Sequence, residues 1–237
     1  MMQNHANLAW LVLPAAALLG PLGAALACTY ARAIADGAMV DGSTLQAAGR
    51  AVLLQKDSAR VSVPLALLCA VLLGLAGVPF VMQPSVTEAA RFGVCVVLLV
   101  LALIDIFCGL LPDALTLPLM WAGLLAAWAG IGVSLHEAVP AAAGGYLLLW
   151  AADRAFLFFR GRAGMGRGDM KLLAAIGAWL GWAALPGVLF TACVAGMVFA
   201  FLWRGKTAWQ GSLAFGPFLA LAGAVGLLGG PVVQFIF

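Results

Sequence analysis

The sequence predicts an all-α fold: a polytopic membrane protein of about eight transmembrane helices with both termini outward. Three observations predict it. The 237 residues are 65% hydrophobic and only 9% charged, against roughly 45 to 50% apolar and about 25% charged in soluble domains. The apolar residues gather into runs near the ~20 residues that a helix needs to cross a ~30 Å hydrocarbon core. The cations concentrate in alternate connections between those runs, as they do when basic loops stay on the cytoplasmic side.

In chain order the expected spans are residues 8–30, 62–83, 89–109, 114–133, 138–159, 169–184, 186–203 and 213–236. Within the first, ALAC at 25–28 has the look of a leader-cleavage or lipidation site. No Lys or Arg precedes it and the run is too long for a signal, so a retained helix is expected. Lys171 to Trp203 is one apolar stretch, divided at Leu185-Pro186 because proline disrupts a helix interior and biases the preceding residue away from helix. The most hydrophilic segment, Ala31 to Arg60, is too short for a core of its own. The chain is therefore divided into 1–60, a first helix with a short basic loop, and 61–237, a membrane domain of about seven helices.

Arg32, Arg50, Lys56 and Arg60 follow the first span; Arg160, Arg162, Arg167 and Lys171 follow the fifth; Arg204 and Lys206 follow the seventh. The other connections hold Arg91 beside Glu88, and a lone Glu137, which places the termini outside. Abundant glycine, 29 residues, suits close helix packing in lipid. The net charge of +3 gives nucleic-acid binding no support. Cys28, Cys69, Cys95, Cys108 and Cys193 form no CxxC pair and are expected as small buried hydrophobes, with no metal site.

An ionisable side chain inside a span costs roughly 2.5 to 3.5 kcal/mol on insertion scales, so each one is a functional hypothesis. Asp105, the pair Asp153 and Arg154, and Asp169 qualify. Asp105 lies about sixteen residues into its span, ~24 Å across the core and near the cytoplasmic face. Asp169 begins a span on that same face, so the two carboxylates are expected at one depth, where they can meet. As a residue at a helix start, Asp169 also fits an N-cap that satisfies free backbone N–H groups, and Asp113, directly before the fourth span, fits that role better. Asp153 and Arg154 are expected as a buried or snorkelling ion pair. Asp105, inside an apolar run, has no capping role to fill.

Two such carboxylates in a poorly solvated site cannot both ionise and would share one proton. The ionised member can deprotonate a water while the protonated one polarises a carbonyl and then serves the leaving amine. No H-E-x-x-H or G-x-S-x-G occurs, and His5 and His136 lie at the outer ends.

Three segments then resemble the type IV prepilin peptidases, membrane aspartyl proteases with a G-x-G-D motif. They are IDIFCGLLPDALTLPLMWAGL at 104–124, GRGDMKLLAAIGAWLGW at 166–182 and LAFGPFLALAG at 213–223, in family order and covering roughly residues 90–225. The resemblance implies that Asp105 and Asp169 are the catalytic pair, with Gly166 and Gly168 forming the tight approach to the second. Supporting roles are implied for Lys171, Arg167, Pro112 and Asp113 at the two motifs, and for Gly216 and Pro217, expected to break the last helix near its cytoplasmic start.

The resemblance also implies a bacterial inner-membrane, multi-pass enzyme with periplasmic termini. Its substrate would be a prepilin or pseudopilin of a type IV pilus or type II secretion system, cut at the cytoplasmic boundary of the bilayer. Many members carry paired CxxC motifs after the first span and use S-adenosylmethionine to methylate the new amino terminus. Here CTYARAIADGAMVDGSTLQAAGRAVLLQKDSARV, 28–61, holds one cysteine. No zinc is expected, and S-adenosylmethionine enters only if methylation is retained. Two other functions fit intramembrane acids: a small ion-coupled transporter or channel, which calls for charges near the midplane as well, and a non-catalytic pilus or secretion assembly protein, against which the two aspartates speak.

Overall fold

The structure is a computed structural model that describes residues 2–36, 38, 42–53, 63–82, 85–161, 164–204 and 214–229. Among these residues all regular structure is helical: α1 (Met2–Ala35), α2 (Gly42–Leu53), α3 (Val63–Met82), α4 (Val86–Cys108), α5 (Asp113–Trp128), α6 (Leu135–Arg160), α7 (Arg167–Leu180), α8 (Leu185–Arg204) and α9 (Gly216–Leu228). Each expected span overlaps one of these helices. Lys56, Arg60, Arg162 and Lys206, which carry part of the charge argument, lie outside the described residues, as do 62 and 83 of the second expected span and 213 and 230–236 of the last.

Four helical stretches among the described residues are long and apolar enough to cross a membrane: Leu18–Ala35, Val86–Cys108, Leu135–Arg160 and Leu185–Leu202. Leu67–Phe80, Asp113–Trp128 and Gly216–Leu228 are apolar but shorter. Phe158, Phe159, Phe201 and Trp128 are 75% or more exposed, an apolar exterior that water would not tolerate over such an area and that a multi-pass membrane protein requires.

The chain forms two compact units, Met1–Ala114 and Leu115–Phe237. In the first, α1 packs on α3 and α4. The approach is close because Gly20 has no side chain: a Cβ there would lie 2.6 Å from the backbone N of Ala70. Helix α2 is the element the sequence reading missed. It occupies the segment judged too short for a core, and it borrows one, burying Ala48 and turning Gly49 toward Leu26 of α1. Ser85 caps α4 by accepting the Glu88 N–H at 3.1 Å, and Glu88 pairs with Arg91 at 2.7 Å.

In the second unit α7 is the centre, packed on α6, α8 and α9 and buried from Asp169 to Ala178 except for Lys171. Against α6 it runs in strict antiparallel register. A Cβ on Gly177 would lie 2.6 Å from the carbonyl oxygen of Ala141, and one on Gly145 would lie 3.1 Å from that of Leu173. Each step of four along α6 is thus matched by a step of four back along α7, one helical turn against another.

The boundary between α7 and α8 differs from the sequence expectation. Helix α7 stops at Leu180 because Gly181 takes φ 81°, and its N–H closes the last turn on the Gly177 carbonyl. Pro186 does not end a helix. It sits in the first turn of α8, where its missing N–H would have no intrahelical partner in any case.

Candidate active site

Asp105 is the twentieth residue of α4, about 28 Å along the helix at 1.5 Å per residue. It continues the buried stripe of Val94, Leu98 and Leu101 and is itself only 5% exposed. Its backbone carbonyl accepts the Gly109 N–H at 2.8 Å. Gly109, at φ 66° and ψ 25°, is the left-handed cap that ends α4 in a conformation that glycine adopts without the strain of a Cβ. The chain then passes through buried Pro112 to Asp113, the exposed first residue of α5. The end of α4 is therefore fixed four residues beyond Asp105, and the carboxylate is carried on rigid helix.

Asp169 is the third residue of α7 and 8% exposed. It is not the N-cap. Gly166 holds that position, with φ −73° and ψ 142° and no side chain to bond the free amides. Gly166 adjoins the Asp169 carboxylate: a Cβ there would stand 3.6 Å from Asp169 Oδ2. Arg167 and Gly168 complete the first turn, and Lys171 follows within the second, half-buried.

Gly216 and Pro217 open α9 instead of breaking it. Proline in the first turn has a fitting φ and needs no N–H partner. Asp105, Pro112 and Asp113 belong to the first unit, and Gly166, Gly168, Asp169, Lys171, Gly216 and Pro217 to the second. Among the described residues, Asp105 and Asp169 are the buried carboxylates, and Thr116 and the Tyr30 hydroxyl are further buried polar groups. Thr116 lies in an apolar helix and carries no charge, so sequence reasoning passed over it.

The expected ion pair of Asp153 and Arg154 does not form. Adjacent residues on a helix project ~100° apart. Asp153 Oδ1 instead accepts the backbone N–H groups of Gly164 at 2.9 Å and Met165 at 3.1 Å, and the Arg154 guanidinium lies 5.6 Å from the centre of the Trp150 ring, one turn back. No short-range sequence signal marks the Asp153 contacts, because donor and acceptor stand eleven and twelve residues apart.

Comparison with known proteins places these residues in context. Residues 92–201 match the type IV leader peptidase family. Over 157 residues the chain is 48% identical to a prepilin leader peptidase/N-methyltransferase of Burkholderia pseudomallei strain 1026b, an overlap that covers 65% of this chain and 51% of the relative. A protein of the same name from Pectobacterium carotovorum subsp. carotovorum is 50% identical over 133 residues, covering 55% and 48% of the two chains. One from Aeromonas hydrophila is 45% identical over 172 residues, covering 70% and 58%. The chain thus spans about half the length of the curated relatives it matches. No solved structure gives a significant match.

Proposed function

From a chain whose residues 92–201 match the type IV leader peptidase family, we propose a membrane-embedded aspartyl endopeptidase that removes the leader of type IV prepilins or pseudopilins at the cytoplasmic boundary of the bilayer. The observation that carries this reading is selective burial: of the described Asp, Glu, Lys and Arg residues, the two withdrawn from water are Asp105 and Asp169. Burial of a carboxylate is costly and is retained where its chemistry is needed. Lys171, Arg167, Pro112, Asp113, Gly216 and Pro217 take supporting roles, around a peptidase membrane domain of residues 61–237.

In the proposed mechanism the two carboxylates hold one proton between them. The ionised one removes a proton from water as that water attacks the scissile carbonyl, and the protonated one hydrogen-bonds the carbonyl oxygen. Collapse of the tetrahedral intermediate passes a proton to the departing amine, so hydrolysis needs no nucleophilic side chain and no metal. The finer topology belongs to the same proposal: eight spans in a bacterial inner membrane, with periplasmic termini. Both aspartates then lie at the depth where a substrate's basic leader meets its apolar helix. Methyl transfer, the second activity in the relatives' name, is not part of the proposal.

Co-expression with a candidate prepilin tests the reading. Wild type is expected to release the leader, while Asp105→Asn and Asp169→Asn each leave the precursor intact; full cleavage by either variant would refute the two-carboxylate mechanism. Mass spectrometry of the mature amino terminus, with no other methylase present, decides on methylation separately.

A further inference from the structure

We propose that Asp153 is a positioning residue that clamps the loop before α7 and so sets the axial and rotational register of Asp169; this role rests on the peptidase reading above. The loop leaves α6 at Gly161, a left-handed cap at φ 68°, and re-enters helix at Gly166. Between them, one carboxylate oxygen of Asp153 accepts both the Gly164 and the Met165 N–H. Phe156, one turn along α6 from Asp153, closes over the same backbone: a Cβ on Gly164 would lie 2.6 Å from Phe156 Cδ1. Two side chains of α6 thus grip the segment that leads into α7.

The clamp lies on the register that packs the two helices. Ala141 stands opposite Gly177 and Gly145 opposite Leu173. Two further steps of four along α6, and back along α7 into the loop that precedes it, bring Asp153 to Met165, its hydrogen-bonded partner. Leu149 and Asp169 fall at the intervening level, and both are buried. Small residues let helices approach closely, but a smooth stripe of them resists sliding poorly, whereas a charged acceptor on two fixed amides is directional. A slip of one residue would move Asp169 by ~1.5 Å and turn it by ~100°, and a misplacement of about 1 Å at a reacting group can cost ~100-fold in rate.

The test uses the full chain in membranes or detergent with a prepilin substrate. Asp153→Ala is expected to lower kcat by about 10- to 100-fold with KM within about twofold, and to speed exchange of the Gly164 and Met165 amides. Asp153→Asn, which keeps an acceptor oxygen, is expected to retain both near wild type. Where the alanine variant does not accumulate, Asp153→Ser, whose hydroxyl is too short to span both amides, takes its place with the same expected losses. An alanine or serine variant with wild-type kcat or unchanged exchange overturns the proposal, and so does an asparagine variant as slow as the alanine one. If the wild-type chain cleaves nothing, the peptidase reading fails and the positioning role with it, while the exchange measurement still reports whether the clamp exists.

Discussion

The indole Nε1–H of Trp179, on α7, donates to the backbone carbonyl of Leu119, on α5, at 2.9 Å. This bond ties the buried central helix of the second unit to a neighbour sixty residues earlier. It is possible because Gly123 offers no side chain: a Cβ there would lie 2.9 Å from both Trp179 Nε1 and the Ala178 Cβ. Trp179→Phe, which keeps a ring and loses the donor, is expected to cost about 1 kcal/mol. Gly123→Ala is expected to cost more, about 1 to 3 kcal/mol, because both neighbours are held by α7. Thermal unfolding of the purified variants in detergent checks the order; an alanine at 123 as stable as wild type would show that α5 can move away freely.

The α6–α7 contact leads to a second prediction. Gly177→Ala would drive a Cβ into the Ala141 peptide, at 2.6 Å from its oxygen and 2.9 Å from its carbonyl carbon. Backbone cannot rotate aside as a side chain can, so the helices must separate, and the variant is expected to lose both thermal stability and leader cleavage. Substitution at Gly74, where a Cβ would meet nothing within 4 Å, is the matched control and should leave both unchanged.

Gly166 separates access from folding. Its backbone angles suit any residue, and a Cβ would touch Asp169 Oδ2 at an ordinary contact distance of 3.6 Å. Gly166→Ala is therefore expected to fold with unchanged stability, and Gly166→Val to fold but cleave prepilin at least about 10-fold more slowly by covering the carboxylate. A valine variant with the wild-type rate would exclude substrate approach from that side.

Neighbouring charges on α6 are expected to behave differently. Arg154 is exposed and rests on Trp150, itself 42% exposed, an arrangement worth about 0.5 to 1 kcal/mol at such a site. Arg154→Ala should leave leader cleavage within about twofold of wild type and the melting temperature nearly unchanged, a contrast with Asp153→Ala one residue away.

The two-carboxylate mechanism also predicts that a chelator leaves the cleavage rate unchanged, because the water is activated by carboxylate alone. Loss of activity in EDTA, restored by one divalent cation, would call for a different chemistry.

Much of the fold was legible because each membrane-crossing helix must be apolar over its own length. That is a local property of the chain, and it located a helix at every expected span. The isolation of Asp105 within such a run was legible for the same reason. The α2 helix was not, because its twelve residues are stabilised by packing on α1 and carry no apolar run of their own. The stop at Gly181 was also missed, since proline is the louder signal in sequence while the backbone reversal fell to a glycine at positive φ.

What the sequence by itself determined is the helical order, the alternation of charge and the two aspartates set into apolar surroundings, all of which follow from residue type and one-dimensional spacing. Tertiary structure alone decided that Asp169 stands inside the first turn of α7 with Gly166 as its cap, that Trp179 reaches Leu119, and that Asp153 serves the loop before α7 and not Arg154. These depend on which face of each helix meets which neighbour. Rotation about a helix axis is set by packing between segments distant in sequence, and no local pattern encodes it.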